Sequence, residues 1–310
     1  MKIAVIGPGA VGCLLAVSFA EAGEDVHLVD YRPARVTLLR QQGLRLQIPG
    51  GVSRLLPVPC WLPGEVGACG LAIMAVKAHQ TAAAAQALPL LLAPGGQALS
   101  LQNGLGNLEE MARVVGPERL VAGITYLGVT RQAEGQILYA GQGEVIIGPP
   151  PGSTVSAPEI EALVALFQGA GFKCRSTADI QVLIWDKLMI NAGINPLTAL
   201  LRVPNGALPE LPEAWSLGVA AAAEVQALAR AQGLKVAGDP AERLGQVCRA
   251  TAKNRSSMLQ DVLAGRPTEI DSLNGQVAAR GQALGVPTPV NALLTRLIRS
   301  LDASSHQRVG

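Results

Sequence analysis

The stretch Lys2-Ile3-Ala4-Val5-Ile6-Gly7-Pro8-Gly9-Ala10-Val11-Gly12 decides the fold. Lys2 to Ile6 is a short, unbroken apolar run, the pattern of a parallel strand buried on both faces. Gly7-x-Gly9-x-x-Gly12 follows at once, and Cys13 to Ala22 reads as a helix stopped by Gly23. A glycine fingerprint between a strand and a helix has a physical meaning. It gives a tight turn, lets backbone approach a pyrophosphate, and points helix N–H groups and a positive dipole end at the phosphates. Gly7, Pro8, Gly9, Ala10, Val11 and Gly12 are therefore the expected dinucleotide loop.

The next apolar run, Asp25 to Val29, ends at Asp30-Tyr31-Arg32. Asp30 lies eighteen residues after Gly12, near the spacing of an acid that binds a ribose 2′-hydroxyl and selects NAD. Arg32, with Arg35 behind it, suits a 2′-phosphate and selects NADP. Both readings stay open. Gly43 to Cys60 reads as a strand-rich excursion. Leu71 to Val76 is another buried strand with Lys77 at its carboxyl end, where open α/β sheets bind ligands. His79 reads as a helix-start residue, and Thr81 to Leu92 as one helix. Ala98 to Gln102 is a strand that delivers Asn103 to the same rim. Leu120 to Val129 and Gly135 to Gly148 read as further strands, then Ala157 to Gly169 as a helix and Phe172 to Arg175 as a strand.

Beyond about residue 178 the pattern turns helical: Ile180 to Gly193, Pro196 to Leu201, Trp215 to Gln232, Ala241 to Lys253, Glu269 to Leu284 and Asn291 to Leu301. The expected plan is a Rossmann-type α/β dinucleotide-binding domain over 1–177 and an all-helical substrate and catalytic domain over 178–310. The run Ala220-Ala221-Ala222-Ala223 predicts a close helix crossing. Lys187, Asn191 and Asn195 fall on one helical face among Leu188, Met189, Ile190 and Ile194. Asn is a poor helix former, so its repetition in an apolar setting points to ligand binding. Asn195 before Pro196 equally suits a helix cap. Ser256-Ser257 can bind a ligand or cap a helix. Thr268 reads as an N-cap with Glu269 in the first turn, where an acid complements the dipole.

Composition narrows the classes. The chain has 310 residues, 49% hydrophobic and only 3% aromatic, with net charge +2. That excludes disorder and gives no base-stacking surface or basic tract for nucleic acid. No run of about 18 apolar residues suggests a membrane span. Five cysteines (Cys13, Cys60, Cys69, Cys174, Cys248) form no close metal-type pair, so no metal is expected. They suit reduced thiols in a cytoplasmic protein. The strand at Met1 to Ile6 leads us to expect no signal peptide.

Together Gly7-x-Gly9-x-x-Gly12, Ala75-Val76-Lys77, Gln102-Asn103-Gly104, Lys187-x-x-x-Asn191-x-x-x-Asn195-Pro196-Leu197-Thr198-Ala199, Ser256-Ser257-Met258-Leu259-Gln260-Asp261 and Thr268-Glu269-Ile270-Asp271-x-x-Asn274-Gly275 resemble, in this order, the ketopantoate reductases (2-dehydropantoate 2-reductases). The resemblance implies reduction of 2-dehydropantoate to (R)-pantoate with NADPH, on the route to pantothenate and coenzyme A. It implies Lys187 as the catalytic proton donor and Glu269 as a catalytic acid that holds substrate and also meets the cofactor. Asn191, Asn195 and Ser257 match substrate positions, Lys77 a cofactor position, and Asn103 a position between the two. One departure stands out: Asp30-Tyr31 occupies the point where many members carry a basic residue, and Arg32 is displaced by one. NADP(H) is the expectation and NAD(H) the alternative. The expected partner is a small 2-keto acid, with neither nucleic acid nor membrane; a homodimer is the assembly kept in view. A reductase of another small branched 2-keto acid, or a non-catalytic dinucleotide-binding regulator, are the competing readings.

Overall fold

The computed structural model describes residues 1–48, 50–141 and 143–305, which form two units. Of the described residues, the first comprises those up to 102 and from 107 to 180, the second 103–106 and 181–305.

The first unit is built on an eight-stranded sheet. Its strands are β1 (Lys2–Ile6), β2 (Asp25–Val29), β5 (Cys60–Trp61), β6 (Cys69–Met74), β7 (Leu92–Ser100), β8 (Leu120–Thr125), β11 (Glu144–Gly148) and β12 (Lys173–Ser176), in the order β12-β11-β8-β7-β6-β1-β2-β5. All neighbours are parallel except β8 and β11. The order reverses at β1, so the loops after β1, β2 and β6 meet at the topological switch point, where such sheets bind ligands.

Strand β1 shows why the sheet is covered on both faces. Ile3 and Val5 join one core, while Ala4 and Ile6 join another. The first core holds α1 (Ala10–Glu21), α2 (Pro33–Gln42) and α7 (Ala157–Gly169), with the Phe19 and Phe167 rings edge-on at 5.2 Å. The second holds α3 (Pro63–Val66), α4 (Thr81–Ala85), α5 (Leu88–Leu91) and α6 (Asn107–Val115).

Three expectations change here. Helix α1 begins at Ala10, so Ala10, Val11 and Gly12 form its first turn and Gly9 is its cap. The single helix expected over Thr81 to Leu92 is two, because Pro89 lacks an N–H and suits a new first turn. The strand runs expected over Leu120 to Val129 and Gly135 to Gly148 each divide between two sheets. Leu120–Thr125 is buried throughout and stays in the main sheet. The more polar β9 (Gly128–Ala133) leaves it. With β10 (Gln136–Gly141), β3 (Leu44–Gln47) and β4 (Ser53–Leu56) it forms a second sheet ordered β4-β3-β10-β9.

The regular elements described in the second unit are all helical. They are α8 (Ile180–Leu201), α9 (Pro212–Ala231), α10 (Pro240–Ala250), α11 (Ser257–Leu263), α12 (Gln276–Leu284) and α13 (Pro289–Ala303), with short 3-10 and π turns between. None is long and apolar enough to cross a membrane, among the described residues. Helices α8 and α9 approach through glycine: a Cβ on Gly193 would sit 2.8 Å from the carbonyl oxygen of Gly218, and one on Gly218 equally close to that of Gly193. Ala221 and Ala222 are fully buried beside this contact, as the alanine run predicts.

Helix α8 corrects the sequence reading most. It runs unbroken through Pro196, so Asn195 caps nothing. Proline removes the N–H that would bond the carbonyl of Ala192, four residues back. The Asn274 side chain replaces it: Nδ2 donates to Ala192 O at 3.1 Å and to Asn291 Oδ1 at 2.9 Å. Asn291 Nδ2 in turn donates to Ala221 O and to Glu224 Oε2. Asn274 and Asn291 are both fully buried. Asn274 sits in a π-helical turn, Asp271–Gly275, which displaces the start of the regular helix from Glu269 to Gln276.

Asn274→Ala is expected to cost about 2–4 kcal/mol of unfolding free energy, because two buried acceptors lose their donor and a void opens. Pro196→Ala restores a backbone N–H, so in that background the same substitution should cost about 1 kcal/mol less. Urea unfolding of the wild type, both single variants and the double variant measures the coupling. Strict additivity would remove Asn274 as the replacement donor.

Candidate functional site

In the first unit the glycine loop is shaped by two close approaches. Gly7 has φ 105°, and a Cβ there would lie 2.6 Å from the Val76 side chain. A Cβ on Gly12 would lie 2.0 Å from the carbonyl oxygen of Gly7. Gly9 differs. Its backbone is ordinary extended chain, and the nearest atom to an added Cβ is Ala75 O at 3.8 Å. No side chain caps α1, so the N–H groups of its first turn keep their capacity to donate. Open space before Gly9 and an uncapped N-terminus fit a dinucleotide pyrophosphate.

Asp30 ends β2 and is almost fully buried. Its carboxylate accepts from Arg32 N at 2.9 Å, Arg32 Nε at 3.2 Å, Arg32 Nη2 at 3.0 Å and Arg35 Nη1 at 3.1 Å. The bond to Asp30 and the nearby carboxylates raise the pKa of Arg32, which keeps its charge. Arg35 also donates to Pro8 O in the glycine loop. Tyr31 is exposed, takes a bond from Gln80 Nε2 at 3.2 Å, and lies under the Arg32 guanidinium. Lys77 stands just past β6, in extended backbone beside Val76. His79 is exposed in the 3-10 turn that follows. Gln102 Nε2, at the end of β7, donates to Val76 O at 2.9 Å and Thr81 Oγ1 at 2.7 Å. Gln80 escaped the sequence reading, because its partner Tyr31 lies forty-nine residues away along the chain.

In the second unit, Lys187, Asn191 and Asn195 share one face of α8, with Asn195 buried and the other two half-buried. Burial pushes the pKa of Lys187 down to about 8, against the carboxylate of Glu269, which pulls it up. Lys187 and Glu269 are thus within electrostatic reach. Asn103 joins this unit through its neighbours: Leu105 N donates to Ser272 O at 2.9 Å, and Gly104 packs so closely that a Cβ would lie 2.3 Å from that oxygen. The segment 103–106 is therefore moored to the turn that follows Glu269.

The two serines separate. Ser256 is buried, caps α11 by accepting from Leu259 N at 3.1 Å, and lies 2.8 Å from Thr198 Oγ1. Ser257 is exposed at the first helical position. Thr268 does not cap a long helix as expected. Its hydroxyl donates to Asp302 Oδ2 at 2.7 Å, because the π turn moves the helix start downstream. Among the described residues no group of three or more His, Cys, Asp or Glu could hold a metal ion. All five cysteines are free and buried.

A family model described as ketopantoate reductase PanE/ApbA matches residues 3–152, and its C-terminal counterpart matches residues 179–302. The 2-dehydropantoate 2-reductase of Halobacterium salinarum is 35% identical over 300 residues, covering 96% of this chain and 98% of that protein. The enzyme of the same name from Archaeoglobus fulgidus is 32% identical, covering 97% and 98%. Among solved structures, a PanE/ApbA family ketopantoate reductase from Ralstonia eutropha matches with TM-score 0.88 and 31% identity over 99% of this chain and 100% of that one. D-mandelate dehydrogenase in complex with NADH and anilino(oxo)acetate matches with TM-score 0.90 and 25% identity over 99% of each chain.

Gly9 and Gly12 should respond differently to alanine. Gly12→Ala forces a methyl into a backbone oxygen and should cost about 1–3 kcal/mol or more, read as a lower Tm. Gly9→Ala should leave the Tm near wild type and weaken dinucleotide binding in calorimetric titration. Undiminished binding by Gly9→Ala would mean that no pyrophosphate approaches there.

Proposed function

The chain belongs to the ketopantoate reductase family of oxidoreductases, and from that premise we propose that it reduces 2-dehydropantoate to (R)-pantoate, with NADPH as the reductant. The observation that carries the reaction chemistry is Lys187: an ammonium whose pKa burial brings to about 8, opposed by Glu269, on one face with two carboxamides. A bound nicotinamide supplies the hydride. As the ketone carbon accepts it, negative charge grows on the ketone oxygen. Lys187 Nζ stabilises that charge and delivers the proton. A lysine of pKa about 8 gives its proton up more readily than an ordinary one, yet is still mostly protonated at neutral pH.

Glu269 holds the substrate hydroxyl in this reading and keeps Lys187 charged. Asn191, Asn195 and Ser257 orient the keto acid. Gly7 to Gly12, Asp30, Arg32 and Lys77 bind the dinucleotide, and Asn103 and Glu269 are assigned to both ligands. Support for NADPH comes from Asp30, whose carboxylate is already matched by Arg32 and Arg35 and so presents little bare charge to a 2′-phosphate. NADH is the alternative, with Asp30 released to a ribose hydroxyl. Another small 2-keto acid is the second reading, favoured by the likeness to D-mandelate dehydrogenase. A pure dinucleotide sensor would have no use for the Lys187–Glu269 pairing. Five buried free thiols suit the cytoplasm, and a homodimer is proposed on the family's account alone.

Initial rates with 2-dehydropantoate, run with NADPH and NADH side by side, test the proposal directly. Efficient turnover with NADPH is expected; turnover with NADH alone would make Asp30 the ribose ligand, and none with either would shift the substrate. Lys187→Ala should lower kcat by about 10²–10⁴-fold while the dinucleotide still binds. Because the reduction uses protonated Lys187, kcat should fall as pH rises through about 8, and pantoate oxidation should rise over the same window. A flat profile across that window, with the proton-transfer step rate-limiting, would rule Lys187 out as the donor.

A further inference from the structure

The guanidinium of Arg35 is committed inside the first unit on every side. Nη1 donates to Asp30, Nη2 to Pro8 O, and Nε forms an ion pair with Glu134. Glu134 sits in the turn between β9 and β10, so it reaches this cluster from the second sheet. Its other oxygen pairs with Arg131 Nη1 at 2.8 Å. The cluster therefore holds two carboxylates, Asp30 and Glu134, against three guanidiniums, Arg32, Arg35 and Arg131. Arg32 is the exposed member, with 46% of its side chain accessible against 11% for Arg35.

We propose that Glu134 is a specificity-determining positioning residue for the 2′ position of the dinucleotide. It rests on the dinucleotide reading of this site. Glu134 holds Arg35 inside the buried cluster and shares its charge with Asp30, so Arg35 is kept from a 2′-phosphate. Asp30 stays neutralised when Arg32 swings away, and Arg32 is left as the guanidinium that meets a 2′-phosphate. Glu134 also adds a negative charge that opposes a phosphate but not a hydroxyl, so it holds the preference for the phosphorylated cofactor below its ceiling. The charge of Glu134 is felt at Arg32, where it adds to the larger effect of the Asp30 bond.

The turn itself does not depend on the Glu134 carboxylate. Its backbone is held by Gln42 Nε2, which donates to Glu134 O at 2.6 Å, and by Arg45 N, which donates to Gly135 O at 2.7 Å. Glu134→Gln therefore removes charge while keeping the fold and a side-chain acceptor.

The test compares adenosine 2′,5′-bisphosphate with 5′-AMP, titrated calorimetrically into the wild type, Glu134→Gln and Arg131→Gln. In Glu134→Gln the bisphosphate should gain about 3–10-fold in affinity at low salt, with 5′-AMP unchanged, since only a 2′-phosphate meets the altered field. The gain should shrink at about 0.5 M salt. Arg131→Gln leaves Glu134 less neutralised and should move the ratio the other way. If the two nucleotides shift together, or the ratio stays constant in both variants, Glu134 is only a structural part of the turn and the inference falls. The wild-type ratio judges the cofactor reading separately. A wild type that prefers 5′-AMP refutes the NADPH choice while the variant-to-wild-type change still decides on Glu134, and one that binds neither nucleotide overturns both.

Discussion

A missing N–H in the helix that carries Lys187 governs the second unit. Pro196 leaves the carbonyl of Ala192 without its intrahelical donor, in a fully buried setting where an unpaired acceptor costs about 1–3 kcal/mol. Only a side-chain donor from another element can restore the bond without breaking α8. Asn274 is that donor, and using both of its N–H groups ties α8 to Asn291 at the start of α13. Glu224 of α9 completes the set, accepting from Val290 N and Asn291 N, first-turn donors of α13 that have no intrahelical partner. One defect in α8 thus fixes the register of three other segments. The segment bearing Asn274 is the one that Glu269 enters, so the interaction that repairs the helix also ties Glu269's segment to the helix bearing Lys187.

The first unit depends on a different constraint, the space between backbone atoms at Gly7 and Gly12. Those two glycines are demanded by packing, whereas Gly9 has room to spare. A fingerprint read from sequence cannot separate the two kinds of glycine, since all three fall on the same spacing. The separation matters chemically: a glycine forced by packing says how the loop folds, and a glycine with open space before it says where something else can approach.

The sheet core and the helical second half were legible because their signals are local. An apolar run is a strand wherever it pairs, and Lys187, Asn191 and Asn195 share a face in any helix. What escaped were features set by distant partners. Whether Pro196 divides a helix depends on whether a donor for Ala192 O exists eighty-two residues away. That Gly128–Ala133 leaves the main sheet depends on β10 being there to receive it. Asp30 and Arg32 gave opposed cofactor signals in sequence because each was weighed alone. In the folded chain they bind each other, and the relevant quantity is the charge of the whole cluster.

The same reasoning accounts for asparagine on α8. In the role proposed for it, Lys187 has to remain charged before the reaction and release its proton during it. Burial lowers the pKa of Lys187 and one carboxylate, Glu269, partly offsets it, which leaves the group near 8. A second carboxylate at position 191 or 195, one or two turns along the same face, would raise that value and hold the proton back. It would also repel an anionic keto acid. A second cation would depress the lysine further and leave it uncharged at neutral pH. A neutral amide avoids both outcomes while still offering a donor and an acceptor to the ligand. The poor helix propensity of Asn, a few tenths of a kcal/mol to about 0.7 kcal/mol each, is small beside the proton-transfer balance that the proposed mechanism requires.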